Sequence, residues 1–446
     1  MSVAAAPGSI ELVPEVTCPN CWHRFPPESS LYIAGHSTLT GDPRLEDRRE
    51  KRRFMPTRFT PDGAAIDIMD TACRDLACPS CHLLVPRVLL ERRATIFLSI
   101  FGRPSSGKSY FLAAMMRQMK RTLPRLFALG VTEPHPPSNR LAQAYENALF
   151  NHPNVDAFCD IPKTQEAGDQ WYQLVKFGDE RRQYPRPMFF QIAPLAGHPN
   201  GDRATRYART LCLYDNAGES FEPGKDTPNN PVTQHMARSS GLFFIFDPTQ
   251  EPLFLRECTG KTADPQVEEN MRDRGQESVT DPQHVVLSTA SQNVKKYLGR
   301  EIAQPLDVPL MVIVSKFDAW RHLLGGDLPE FSITPKQRAG GGAVVSGLRI
   351  SALEDISRRI KDLMRDLAPE MLSATEQFSR HVYFVPSSAT GCAPQVVGRD
   401  EKSGKPTYKF RVGDLAPQWA EVPLLWMLSR HVSGLVPTEV LQPQRA

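Results

Sequence analysis

The chain has 446 residues, 40% of them hydrophobic and 23% charged, with a formal net charge of +3. That is an ordinary globular composition with length for about two or three domains, and the charge is too small to argue for a nucleic-acid partner. No apolar run approaches the ~20 residues of a membrane-spanning helix. The opening MSVAAAPGSI lacks the basic start and apolar core of a secretion signal. The expectation is a cytoplasmic protein whose nine cysteines form no disulfide framework. Forty prolines exceed the usual share of ~5% and cluster at 132–139 and 184–188, which predicts long surface loops.

Two cysteine pairs open the chain, Cys18-Pro-Asn-Cys21 and Cys78-Pro-Ser-Cys81. Each C-P-x-C is the spacing of a knuckle whose two thiolates face one ion, and two knuckles make a tetrahedral zinc site. Residues 22–77 separate the pairs, far more than the ~15–20 of a compact ribbon, so an insertion is expected there. The polar run 41–53 belongs to it. Cys78-Pro-Ser-Cys81-His82 also matches the haem-attachment string C-x-x-C-H. The second cysteine pair favours zinc. His23 and His82 are spare ligand candidates.

The next signal is Phe101–Tyr110, FGRPSSGKSY. Gly102, Gly107, Lys108 and Ser109 fit G-x-x-x-x-G-K-[ST], between an apolar strand at 94–101 and a helix from 110 to 123. Gly102, Arg103, Pro104, Ser105, Ser106, Gly107, Lys108, Ser109 and Tyr110 are thus expected to line a phosphate site. Backbone N–H groups and the helix N-terminus attract the anion. Lys108 is placed to reach the β and γ phosphates, and Ser109 to bind Mg²⁺.

Residues 124–186 are punctuated by proline, with helices expected around 138–150 and 166–177. Strands follow at 187–195 and 209–215. The second ends in Asp215-Asn216-Ala217-Gly218. A carboxylate at that strand end suits Mg²⁺, and the Gly218 N–H suits a γ-phosphate oxygen. Residues 241–247 form another apolar strand. Residues 251–305 look polar and mostly helical, as an insertion would. A strand at 309–314 precedes Ser315-Lys316-Phe317-Asp318. A helix at 349–367, a strand within 381–391 and a final helix at 420–434 complete the pattern. The glycines at 339–343 read as a mobile loop.

In this order the motifs resemble those of the Ras-like, TRAFAC-type P-loop GTPases: phosphate loop, D-x-x-G, [N/T/S]-K-x-D and S-A, each at a strand end. The resemblance covers about 92–435. It implies an α/β fold with a doubly wound, mostly parallel sheet and helical insertions, joined to a small zinc ribbon. It also implies that Asp318 binds the N1–H and 2-amino donors of guanine, that the Lys316 stem lies along the base, and that the backbone near Ser388 and Ala389 meets the guanine O6. Ser315 stands where the family usually has Asn. Glu219 stands where the family often has a Gln that orients the attacking water. Thr164 is matched to the switch threonine that ligates Mg²⁺.

The expected domains are a ribbon at 1–91, a GTPase domain at 92–436 with insertions near 124–186 and 251–305, and a tail at 437–446. The expected function is a GTP-hydrolysing switch that uses GTP/GDP, Mg²⁺ and Zn²⁺ and meets a protein partner through the ribbon or insertions. The domain order is also similar to bacterial double-GTPase proteins of conflict and defence systems. Three rivals stay open: an ATPase of the same fold, a nucleotide-binding scaffold with little hydrolysis and, with little support from the near-neutral charge, nucleic-acid binding through the ribbon.

Overall fold

The computed structural model describes residues 12–91, 94–161, 172–216, 231–273, 281–334, 345–400 and 404–439. Its centre is a seven-stranded mixed sheet. The strands are β1 (Thr95–Phe101), β2 (Leu129–Thr132), β3 (Met188–Pro194), β4 (Arg209–Asp215), β5 (Gly241–Phe246), β6 (Leu310–Val314) and β7 (Val382–Pro386). They lie in the order β2-β3-β4-β1-β5-β6-β7. The five from β4 to β7 run parallel. β2 and β3 run antiparallel at the other edge.

Sequence explains the layering. Every residue of β5 and β6 is buried. Successive strand residues point to opposite faces, so elements cover both sides of these strands. On average such burial stabilises by about 1.5–3 kcal/mol for each large apolar side chain. Parallel neighbours need crossovers, and α1 (Lys108–Phe127) follows β1 directly. Phe111, Leu112, Met115, Met116, Met119 and Leu123 recur at helical spacing and are buried. Pro124 does not stop this helix, which runs on to Phe127 before Ala128 turns left-handed at φ 49°.

Three expectations are corrected. The stretch Tyr172–Phe177, expected as helix, is a strand paired with Glu180–Pro185. Gly178 makes the turn at φ 65°, in the left-handed region that favours glycine. Residues 124–186 are not all insertion, because β2 is an edge of the main sheet. Residues 251–305 are not all insertion either. Their helix Gln283–Tyr297 buries Val286, Leu287, Ala290 and Val294 on the way from β5 to β6. The glycines at 339–343 lie outside the described residues.

The cysteine pairs sit on two short hairpins, Val16–Thr17 with Arg24–Phe25 and Leu76–Ala77 with Leu84–Val85. The stretch between them is built. Leu31–Ile33 pairs with Arg53–Phe54 and Leu76–Ala77. Buried Asp67 gathers the N–H groups of Gly35, His36, Met69 and Thr71 at 2.9–3.1 Å. This N-terminal region shares a hydrophobic cluster with the sheet, in which Val16, Trp22 and Phe25 meet Phe189, Cys212 and Tyr214. At the far end, Pro437 and Glu439 of the expected tail bond to Leu348 at 2.8 and 2.9 Å.

Candidate functional site

The loop 102–107 leaves β1 and enters α1 through three left-handed residues. Gly102 has φ 157°, Ser105 63° and Gly107 89°. A Cβ on Gly102 would lie 2.7 Å from the Ile245 carbonyl oxygen. Glycine is therefore the residue that lets the loop pass this close to β5. The Lys108 ammonium donates to the carbonyls of Gly102 and Arg103, each at 2.9 Å. Ser106 is buried, and its Oγ has no hydrogen-bond partner among the described residues. Gly107, which has no side chain to cap with, precedes the 20-residue helix α1. A helix N-terminus behind a left-handed loop fits an anion. Pro104 and Ser109 are half-buried beside it. The Tyr110 hydroxyl accepts the Ile161 N–H at 3.1 Å, and its ring lies 5.5 Å from that of Phe410.

Asp215 ends β4 in register with Ile100 of β1, next to the loop. Asn216 follows, and both its N–H and its side-chain amide donate to the Ile100 carbonyl, at 3.0 and 3.2 Å. Strand pairing thus brings a serine hydroxyl in the first turn of α1 and a carboxylate to neighbouring strand ends. That oxygen donor set fits a hard cation such as Mg²⁺. Gly218, Glu219 and Thr164 lie outside the described residues.

The tip of β6 supplies the third part. Ser315 donates its hydroxyl to the Phe246 carbonyl at 3.0 Å and, more weakly, to that of Ser106 at 3.4 Å. Lys316 is left-handed at φ 51° and caps the short helix Phe317–Trp320. Its ammonium meets Asp247 Oδ2 at 2.8 Å and Thr249 Oγ1 at 3.1 Å. Burial alone would lower the Lys316 pKa, but Asp247 and Asp264 outweigh it and hold the amine charged. Asp318 receives the Ser388 hydroxyl from beyond β7, and Ser388 Oγ in turn accepts the Gly391 N–H at 2.7 Å. Burial raises the Asp318 carboxyl above the usual aspartate value, against the hydrogen bond from Ser388. Ala389 packs against the main core. Gly391 is left-handed at φ 71°, and a side chain there would collide with the Ala416 carbonyl.

The cysteines form a second centre. Cys18 and Cys81 lie 3.7 Å apart between sulfurs, as do Cys21 and Cys78. All four sulfurs fall within 4.8 Å of one another. A tetrahedron of Zn–S bonds of about 2.3 Å has edges of about 3.8 Å, so the set fits zinc. The two knuckles match residue by residue. Trp22 and His82 both sit at φ 61°, and their N–H groups bond to Cys18 O and Cys78 O at 3.1 and 3.0 Å. Asn20 N and Ser80 N each donate to the leading sulfur at 3.4 Å. His82 turns to Asp42 at 2.9 Å, and His23 stacks on Phe25 with centroids 6.0 Å apart. Neither belongs to the cysteine cluster.

Sequence reasoning missed Asp247 and Gln250. The signal was present, because Asp247 ends an apolar strand beside β1 just as Asp215 does.

No protein-family model matches the chain, and no curated protein matches it. Among solved structures, sup35 complexed with GDP is 10% identical, with a TM-score of 0.23 over 70% of this chain and 41% of that one. Era in complex with MgGDPNP and nucleotides 1506–1542 of 16S ribosomal RNA is 12% identical, with a TM-score of 0.22 over 80% of this chain and 61% of that one. Each match spans less than two thirds of the other chain. Overlap this slight carries no argument about function, which rests on the residues described above.

Proposed function

We propose that the chain is a Mg²⁺-dependent, GTP-hydrolysing switch with an N-terminal zinc ribbon. The observation that carries this reading is the meeting of Asp318 with Ser388. The two residues come from different strand ends, 70 positions apart, and Ser315 on the same strand tip as Asp318 reaches the glycine loop at Ser106 O. A partly buried carboxylate there suits the paired N1–H and amino donors of guanine, which adenine lacks. Lys108 exchanges its two loop carbonyls for phosphate oxygens, and the α1 terminus and loop N–H groups hold them. Mg²⁺, when bound, neutralises phosphate charge, and Ser109 and Asp215 are the residues that would hold it. Catalysis is then positioning and charge stabilisation of water attack on the γ-phosphate.

By resemblance, Gly218 meets the γ-phosphate, Glu219 orients the water and Thr164 joins the Mg²⁺ shell. Cys18, Cys21, Cys78 and Cys81 hold one structural zinc. A protein partner at the ribbon or insertions, and a role in bacterial conflict or defence, are supported by domain order alone.

Calorimetric titration with GTP, GDP and ATP tests the reading. The parent should bind guanine nucleotides, and Lys108→Ala should lose roughly tenfold or more in affinity. Equal affinity in parent and variant would contradict it.

A further inference from the structure

We infer that Gln250 is a positioning residue for the nucleotide site, its side-chain amide holding the phosphate loop against the buried Asp247–Lys316 pair. The inference deepens the function proposed above and rests on it.

Gln250 closes the turn after β5. Asp247 is fully buried, and its Oδ1 accepts Thr249 N–H and Oγ–H at 2.9 and 2.7 Å. Gln283 fixes the turn from behind. It accepts Asp247 N–H and donates to Asp247 O, both at 2.8 Å. From this base the Gln250 amide reaches forward. Its Oε1 accepts from the Arg103 guanidinium. Its Nε2 donates to Asp247 Oδ2 at 3.0 Å and to Ser105 O at 3.4 Å. Asp247 Oδ2 is also the acceptor for Lys316.

The contacts need an amide. One end must accept from a guanidinium, and the other must donate to a carboxylate and a carbonyl. A carboxylate would keep the Arg103 contact but set a second negative charge against Asp247. The loop's other ties are the Lys108 ammonium, at 2.9 Å from the Gly102 and Arg103 carbonyls, and two longer bonds. Ser106 N–H reaches Arg103 O at 3.3 Å, and Ser315 Oγ reaches Ser106 O at 3.4 Å. Gln250 is itself partly exposed, so its replacement leaves the core untouched.

The test measures release of fluorescent GDP from the parent, Gln250→Ala, Gln250→Glu, Arg103→Ala and the double alanine variant, with melting of each nucleotide-free protein. Gln250→Ala should release GDP about tenfold faster, the equivalent of about 1.4 kcal/mol. Gln250→Glu should release it at least as fast. The double variant should be no worse than Gln250→Ala, and nucleotide-free melting should match the parent. Parent-like release in both Gln250 variants, additive penalties, or melting that falls in step with release would overturn the proposal. A parent that holds ATP but not GDP would overturn the guanine reading alone, with Gln250 then scored on a fluorescent ATP analogue. A parent that binds no nucleotide overturns both.

Discussion

Tyr214 donates its phenolic hydrogen to the carbonyl oxygen of Pro19 at 2.5 Å. Pro19 lies inside the first cysteine knuckle, and Tyr214 is the residue before Asp215. The bond therefore fastens the cysteine cluster to the strand that ends at Asp215. His235 strengthens the joint. Its ring stacks on Tyr214 with centroids 4.2 Å apart, and its Nε2 donates to Asn20 O at 2.9 Å. Burial pushes the His235 pKa down to about 4, so the ring is neutral at physiological pH.

Tyr214→Phe should therefore cost stability without emptying the cysteine centre. The ring and its stacking remain, but the buried Pro19 carbonyl loses its donor. The expected loss is about 1–3 kcal/mol, read as a lower midpoint in urea denaturation at unchanged slope. A parent-like midpoint would show that the hydroxyl fastens nothing.

Metal analysis of protein purified without added zinc should give about one equivalent per chain. Cys78→Ser with Cys81→Ser should abolish it. The loss should reach the tryptophan fluorescence, because Trp22 lies 4.6 Å from Phe97 between ring centroids and 5.7 Å from His235. Covalent haem on Cys78 and Cys81 would instead be visible by absorbance.

The raised carboxyl of Asp318 sets a pH dependence. Guanine recognition needs the ionised form. Because burial holds the folded pKa above the ordinary ~3.9, the group protonates early as pH falls. GDP affinity should be constant near neutrality and begin to drop above the range of an ordinary aspartate. Asp318→Asn should not show that drop. Affinity flat through the carboxylate range in the parent would remove Asp318 from the site.

Most strands were legible because continuous apolar runs such as LMVIV and LFFIF have one stable place, a sheet covered on both sides. The turn from β1 into α1 was legible for a local reason, since glycine spacing and the strand-to-helix switch lie in one window. Tyr172–Phe177 was misread because its helix-like spacing of apolar residues hid the turn that Gly178 signals. The helix Gln283–Tyr297 was read as insertion rather than core because it buries polar residues. Lys295, for example, satisfies its ammonium on the carbonyls of Ile302 and Gln377, at 2.7 and 2.8 Å. Such partners come from tertiary packing, which periodicity does not report. The same holds for Gln250, whose partners Arg103 and Ser105 lie 147 and 145 residues away. Joining the cysteine pairs needed only their matched knuckles, whereas docking them on Tyr214 needed the fold.

Base choice tests the central claim most directly. Asp318→Asn replaces an acceptor pair by one acceptor and one donor, which should weaken guanine and favour xanthine, whose 2-oxo group accepts. The measurement is competition among GTP, ATP and XTP for the parent and for Asp318→Asn. The account predicts that the parent prefers GTP and that the variant shifts toward XTP by about tenfold or more, as expected for charge-assisted bonds of about 1.5–3 kcal/mol. A parent that prefers ATP, or a variant that keeps the parent's preference for GTP, would contradict it.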